Sequence, residues 1–136
     1  MSFRVHDLAV IQAVSTASGR EVGWADAPKG ALEKLIQGTG NGYYICDPTP
    51  GGSRDGTAKD PWVDWELVYQ FRCIDRGPEG VQWLVDKIDP FPTLTIPGRR
   101  VLWVRPQSSG VWPDEDTANP TLYFSTPTFR IKTTPA

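Results

Sequence analysis

The sequence holds one histidine, two cysteines and one methionine, and no block of like charges longer than two. Each scarcity removes a class of function. A Ser-His-Asp or Cys-His site needs an imidazole beside its nucleophile, and the single candidate, His6, lies near the N-terminus with no nucleophile turn next to it. His6 is therefore expected to be exposed and outside any chemistry. A structural zinc site takes four ligands in two close pairs, whereas Cys46 and Cys73 stand 27 positions apart with no second pair. Both fall in strand-like segments and are expected to be small reduced core residues, with a disulfide or two-thiolate site the minor alternative. A net charge of −2 gives neither a polyelectrolyte tail nor a surface built to hold duplex DNA. Hydrophobic runs reach only a few residues, so neither a membrane span nor a secretion signal is expected, and synthesis in the cytoplasm follows.

What is present points to one folded domain over residues 1–136, the commonest domain size. Hydrophobic residues make up 39% of the chain, with six Trp and four Tyr, enough for one core. Thirteen Gly and thirteen Pro point to long connections. The clearest local signal begins at Trp65, where Trp65, Leu67, Tyr69, Phe71 and Cys73 alternate with Glu66, Val68, Gln70 and Arg72. A period of two over five repeats predicts a strand with one face on a core. After Gly77-Pro78 the period changes. Val81, Leu84, Val85 and Ile88 fall on one helical stripe, and Pro78 and Glu79 suit a first helical turn.

Around this pair, residues 7–18 predict a helix with Asp7 capping its start and Gly19 ending it. Its stripe is Val10, Ala13, Val14 and Ala17, widened by Leu8 and Ile11. A short extended piece is expected at 21–24, then a short helix at 31–37 with Leu32, Leu35 and Ile36 inward. Tyr43–Asp47 reads as a strand. Residues 99–106 read as another, with Val101 and Trp103 on one face and Leu102 and Val104 on the other. The last strand, 121–133, is expected to bend at Pro127. The resulting class is α+β: a mainly antiparallel four-stranded sheet covered on one face by helices, in the order α-β-β-α-β-β. Gly- and Pro-rich stretches at 48–61 and 107–120 are long loops, longer than hairpins need, and so are expected to have functions of their own.

Candidate chemistry is sparse. Asp64 and Glu66 share a strand parity and could be paired carboxylates, but no pocket or base accompanies them, so a solvated or interfacial face is the better account. Pro50-Gly51-Gly52-Ser53 lacks the Lys-Ser/Thr ending and following helix of a phosphate loop. Arg99, Arg100, Arg105, Arg130 and Lys132 could form a basic edge, for which protection against stray strand pairing is favoured over contact with a polyanion. No catalytic group, metal ligand set or cofactor site is expected.

Taken in order, these features resemble the tail terminator proteins of long-tailed, non-contractile phages (siphoviruses) of actinobacteria. The resemblance rests on Gly19-Arg20-Glu21-Val22-Gly23 and Ala27-Pro28-Lys29-Gly30 after a first helix, a strand leading into Pro50-Gly51-Gly52, and Leu67-Val68-Tyr69-Gln70 in the central strand. It continues through the helix Val81-Gln82-Trp83-Leu84-Val85-Asp86-Lys87, then Pro97-Gly98-Arg99-Arg100-Val101, Leu122-Tyr123-Phe124 and Phe129-Arg130-Ile131. Leu32 to Gly42 is longer than the usual link at that place. The resemblance implies a non-enzymatic virion protein at the head-proximal end of the tail. Six copies would form a ring that ends tube polymerisation and joins the tail to a head-completion or stopper protein. The implied partners are further copies of the chain, the tail tube protein and that stopper; DNA passes the lumen without specific binding, and no membrane is involved. Arg54, Asp55, Lys59, Asp60, Trp62, Trp112 and Asp114 become candidate subunit or partner contacts, and Asp64 and Glu66 candidate lumen-facing residues. A different head-tail connector or head-completion ring is the nearest alternative. A monomeric binding domain or enzyme using the Asp64 and Glu66 face is the remaining one.

Overall fold

The alternation that begins at Trp65 produces the strand on which the fold is centred. The computed structural model describes residues 4–48, 64–107, 110–114 and 121–136. Its elements run α1 (Arg4–Ser18), β1 (Val22–Trp24), α2 (Ala31–Gln37), β2 (Tyr43–Pro48), β3 (Trp65–Asp75), α3 (Pro78–Ile88), β4 (Arg99–Gln107), β5 (Trp112–Pro113), β6 (Tyr123–Ser125) and β7 (Thr128–Pro135). The α+β class is as expected. The sheet is larger than four strands: among the described residues seven strands form one mixed sheet. β1 adds a parallel strand beside β2, and the expected final strand is two strands, β6 and β7. The break falls at Thr126-Pro127, where proline has no N–H to continue a ladder. Phe71 N–H bridges it by donating to the Pro127 carbonyl at 2.9 Å. Inside the stretch expected to be loop at 107–120, Trp112–Pro113 forms a short strand against β6.

One face of the sheet carries the main core. Trp65, Leu67, Tyr69, Phe71 and Cys73 are all buried, and α3 covers them with Val81, Leu84, Val85 and Ile88. Pro78 occupies the first turn of α3 and Glu79 its acidic position, as the sequence suggested. The Tyr44 hydroxyl donates to the Leu84 carbonyl at 2.6 Å and ties β2 to that helix. Tight packing at the β3–α3 corner needs glycine: a Cβ on Gly80 would lie 2.2 Å from an Asp75 carboxylate oxygen.

The helices do not all lie on that face. Alternation along β2 sends Tyr44 and Cys46 to the main core but Tyr43 and Ile45 to the other side. There they pack with Ala31 and Leu35 of α2 and with Leu122. In α2 the inward stripe is Ala31 and Leu35, while Leu32 and Ile36 are exposed, contrary to the inward placement expected of them. With only seven residues, an i, i+4 pair is the whole buried face. Gly38 stops α2 in the left-handed conformation (φ 77°), and the Thr39 and Gly40 amides return to the Lys34 carbonyl. Among the described residues no helix is long and apolar enough to cross a membrane.

α1 begins earlier than expected and presents a different stripe. His6, Asp7, Val10 and Val14 are buried, whereas Leu8 is 50% exposed. Asp7 is inside the first turn rather than at the cap. His6, expected on the surface, is fully buried. Its Nδ1 is 3.0 Å from the Tyr69 hydroxyl, which in turn donates to the Asp7 carboxylate. With the hydroxyl proton directed at Asp7, the Tyr69 oxygen accepts from His6 Nδ1–H. This polar contact docks α1 on β3 and gives two otherwise costly buried groups a partner. Tyr69→Phe is expected to lower stability by about 1–3 kcal/mol, seen as a lower urea midpoint at unchanged slope.

Candidate assembly surface

β4 closes one side of the sheet, and its register determines which side chains face outward. The ladder to β7 pairs Val101 with Thr133 and then Trp103 with Lys132, skipping Leu102. This bulge shifts parity by one residue. Val101 and Val104 thus share the core face, where both pack on the main cluster, while Trp103 lies on the opposite face. Simple alternation had put Val101 with Trp103, and the bulge is the physical reason for the difference.

The face away from α1 and α3 therefore displays Glu66, Val68, Gln70 and Arg72 from β3, Thr128, Arg130 and Lys132 from β7, and Trp103, Arg105 and Gln107 from β4. Arg72 grips Asp47 of β2 with two contacts, 2.7 and 3.1 Å. Arg130 reaches Glu66 at 3.0 Å, and the Arg105 guanidinium lies 4.0 Å from the centre of the Trp103 ring. Pairs this exposed contribute only about 0.2–1 kcal/mol each, so the face is better suited to contact than to stabilising the subunit.

Of the residues expected to act together, Asp64 and Glu66 do not form an isolated acidic pair. Asp64 is exposed just before β3, near Arg99, while Glu66 is engaged by Arg130. Burial pushes the Arg99 guanidinium below the ordinary arginine range, with Asp64 acting against that shift. Arg99 spreads over the Trp65 ring at 4.1 Å and donates to the Thr133 carbonyl. Trp112 is 56% exposed on β5. Asp114 is half-buried, its amide donating to the Leu122 carbonyl at 2.7 Å. Arg54, Asp55, Lys59, Asp60 and Trp62 lie outside the described residues, as do most of the 48–61 stretch and part of 107–120.

Sequence reasoning missed several surface features. Trp24, Trp83 and Leu102 are exposed at 44%, 38% and 44%, and Trp83 carries Arg20 and Lys87 over its ring. Exposure of Trp24 follows from its place on a terminal strand, which the order of elements alone does not reveal. A surface cavity between α1, α2 and β2 is lined by three cations, Arg20, Lys29 and Lys34, with Glu21 and Tyr43, and by no imidazole or thiol. Among the described residues no three His, Cys, Asp or Glu side chains could hold a metal ion together.

Both cysteines are free and buried in the main core, as expected. Burial pushes the Cys73 thiol and the Tyr44 phenol well above their usual ranges. Raised acid pKa values stabilise the fold fully below the unfolded values and progressively less above them. Stability is therefore expected to fall as pH rises past about 8.5 and further past about 10, where the unfolded thiol and phenol ionise but the folded ones do not. Urea midpoints across that range check this, and native thiols should label far more slowly than denatured ones.

No protein-family model matches the chain, and no curated protein matches it. Among solved structures of similar fold, one is a chain from the virion of a native gene transfer agent particle. It is 15% identical, covers 97% of this chain and 98% of its own, and has a TM-score of 0.60. Another solved chain is 17% identical over 96% of both, with a TM-score of 0.50. The likeness runs end to end, so the α+β fold described above is shared as a whole and not through one motif.

Proposed function

We propose that the chain is a structural subunit of a phage-like virion. Within it, six copies form a ring that caps the tail tube, ends its polymerisation and joins it to the head-completion complex. The observation that carries this reading is the end-to-end fold likeness to a chain of a gene transfer agent virion. The ordered sequence resemblance to tail terminators points the same way. A subunit of this kind needs broad exposed faces and aromatic anchors rather than a reactive cleft. The sheet face away from α1 and α3, where β3, β7 and β4 display polar side chains, and Trp112 meet that need. In the ring, Asp64 and Glu66 face the lumen, and Arg130 beside Glu66 leaves a wall of mixed charge that DNA passes without specific binding.

Co-sedimentation with purified tail tubes tests the reading. The chain should pellet with tubes and halt their elongation in the presence of free tube protein. Pelleting with DNA-filled heads instead would assign it to the head-completion ring. A monomer at every concentration that ignores both would return it to the binding-domain alternative.

A further inference from the structure

Among the described residues the sheet ends on one side in β1, which pairs only with β2, and on the other in β4, which pairs only with β7, and in the two-residue β5, which pairs only with β6; β1 and β4 are the longer of these edges. Their chemistry is opposite. β1 is flanked by Glu21 and Asp26, both exposed, and β4 contains Arg100 and Arg105, both exposed. Each pair is five positions apart, and between its members lies one exposed large apolar side chain, Trp24 or Leu102, both 44% exposed. The Glu21 carbonyl and Ala25 N–H are spent on β2, so alternation turns the backbone groups of Val22 and Trp24 outward.

From this we infer that the subunits of the ring join edge to edge, β4 of one copy docking against β1 of the next. The inference rests on the ring reading and names the contact that builds it. Strand polarity fits. β1 runs with β2, against β3, with β7 and against β4. Rotation about an axis along the strands preserves strand direction, so β4 meets the neighbour's β1 antiparallel, the arrangement with the more favourable ladder. The antiparallel register that sets Trp24 across from Leu102 also sets Glu21 across from Arg105, while Asp26, in the bend that follows Ala25 (φ 62°), lies beyond the end of β1 that faces Arg100. A mismatch by one position would separate both pairs. Arginines along an edge repel stray strands, but a neighbour's edge bearing two carboxylates is admitted, so the same charges select the correct partner. Because the contact joins two different edges, it repeats head to tail and closes by rotation.

The test is a Trp24→Cys, Leu102→Cys double variant, oxidised under assembly conditions in solution and on purified tails. It should give a covalent ladder ending at a closed ring, while either single variant gives none; Cys46 and Cys73 are buried and do not compete. Independently, Glu21→Arg and Arg105→Glu should each weaken self-association at least tenfold, and the combined variant should recover most of the loss. Rings that form without a ladder and ignore both reversals would overturn the edge contact while leaving the ring intact. A wild-type chain that remains monomeric in solution and on tails would overturn both.

Discussion

Phe71→Ala is expected to lower the unfolding free energy by about 3–5 kcal/mol, the range for truncating a fully buried phenylalanine. Phe71 is 0% exposed at the middle of β3. It meets Tyr44 edge-on (6.3 Å between ring centres, 88°) and Phe129 at 6.0 Å and 69°, with Phe91 tilted at 6.4 Å. Those three rings come from β2, β7 and the crossover after α3, so one truncation opens a void shared by separate parts of the chain. Edge-to-face pairs add about 0.5–1.5 kcal/mol each beyond the area they bury. Against a typical domain stability of roughly 5–15 kcal/mol, the loss is a large share of the whole. Urea unfolding should show a much lower midpoint at unchanged slope. A loss within about 0.5 kcal/mol, the ordinary scale for a surface change, would mean that the centre of the core lies elsewhere.

Trp112→Ala is expected to behave in the opposite way. With 56% of its surface exposed, Trp112 belongs to no core cluster, and its removal should change stability by no more than about 0.5 kcal/mol. Tryptophans that become buried at an interface commonly contribute 2 kcal/mol or more on truncation to alanine, which is about a 30-fold loss of affinity. The expected result is a folded protein with wild-type stability whose binding to tail tubes or the stopper falls by about that factor. The combination matters, because a Trp packed on its own subunit would give the reverse pattern. Near-wild-type binding would remove Trp112 from the contact surface.

Why some of this was legible in the sequence is a matter of the range over which each signal acts. The β3 alternation and the α3 stripe are local patterns with a strong period, and every core residue expected from them is buried. The positions at 22–24 and 31–37 also emerged at the expected places, because Gly38 and the turn residues after it punctuate the chain. Three features depend on partners distant in sequence and left no local trace. The Leu102 bulge is set by the register with β7. The burial of His6 is set by Tyr69, 63 positions away. The position of β1 at the sheet edge is set by parallel pairing with β2, which no hairpin turn announces. The short α2 was misjudged in its face because seven residues hold too few repeats to define a stripe. Of the candidate contact residues, Trp112 was identifiable as an aromatic in a Gly- and Pro-rich stretch. Trp24 and Leu102 became visible only once β1 and β4 were known to be edge strands.

Electron microscopy of intact virions carrying a label on this chain tests the central claim most directly. A single sixfold ring of label is expected at the head–tail joint, on the end of the tube. Label along the tube, at the distal tip, within the head shell, or absent from the particle would contradict it.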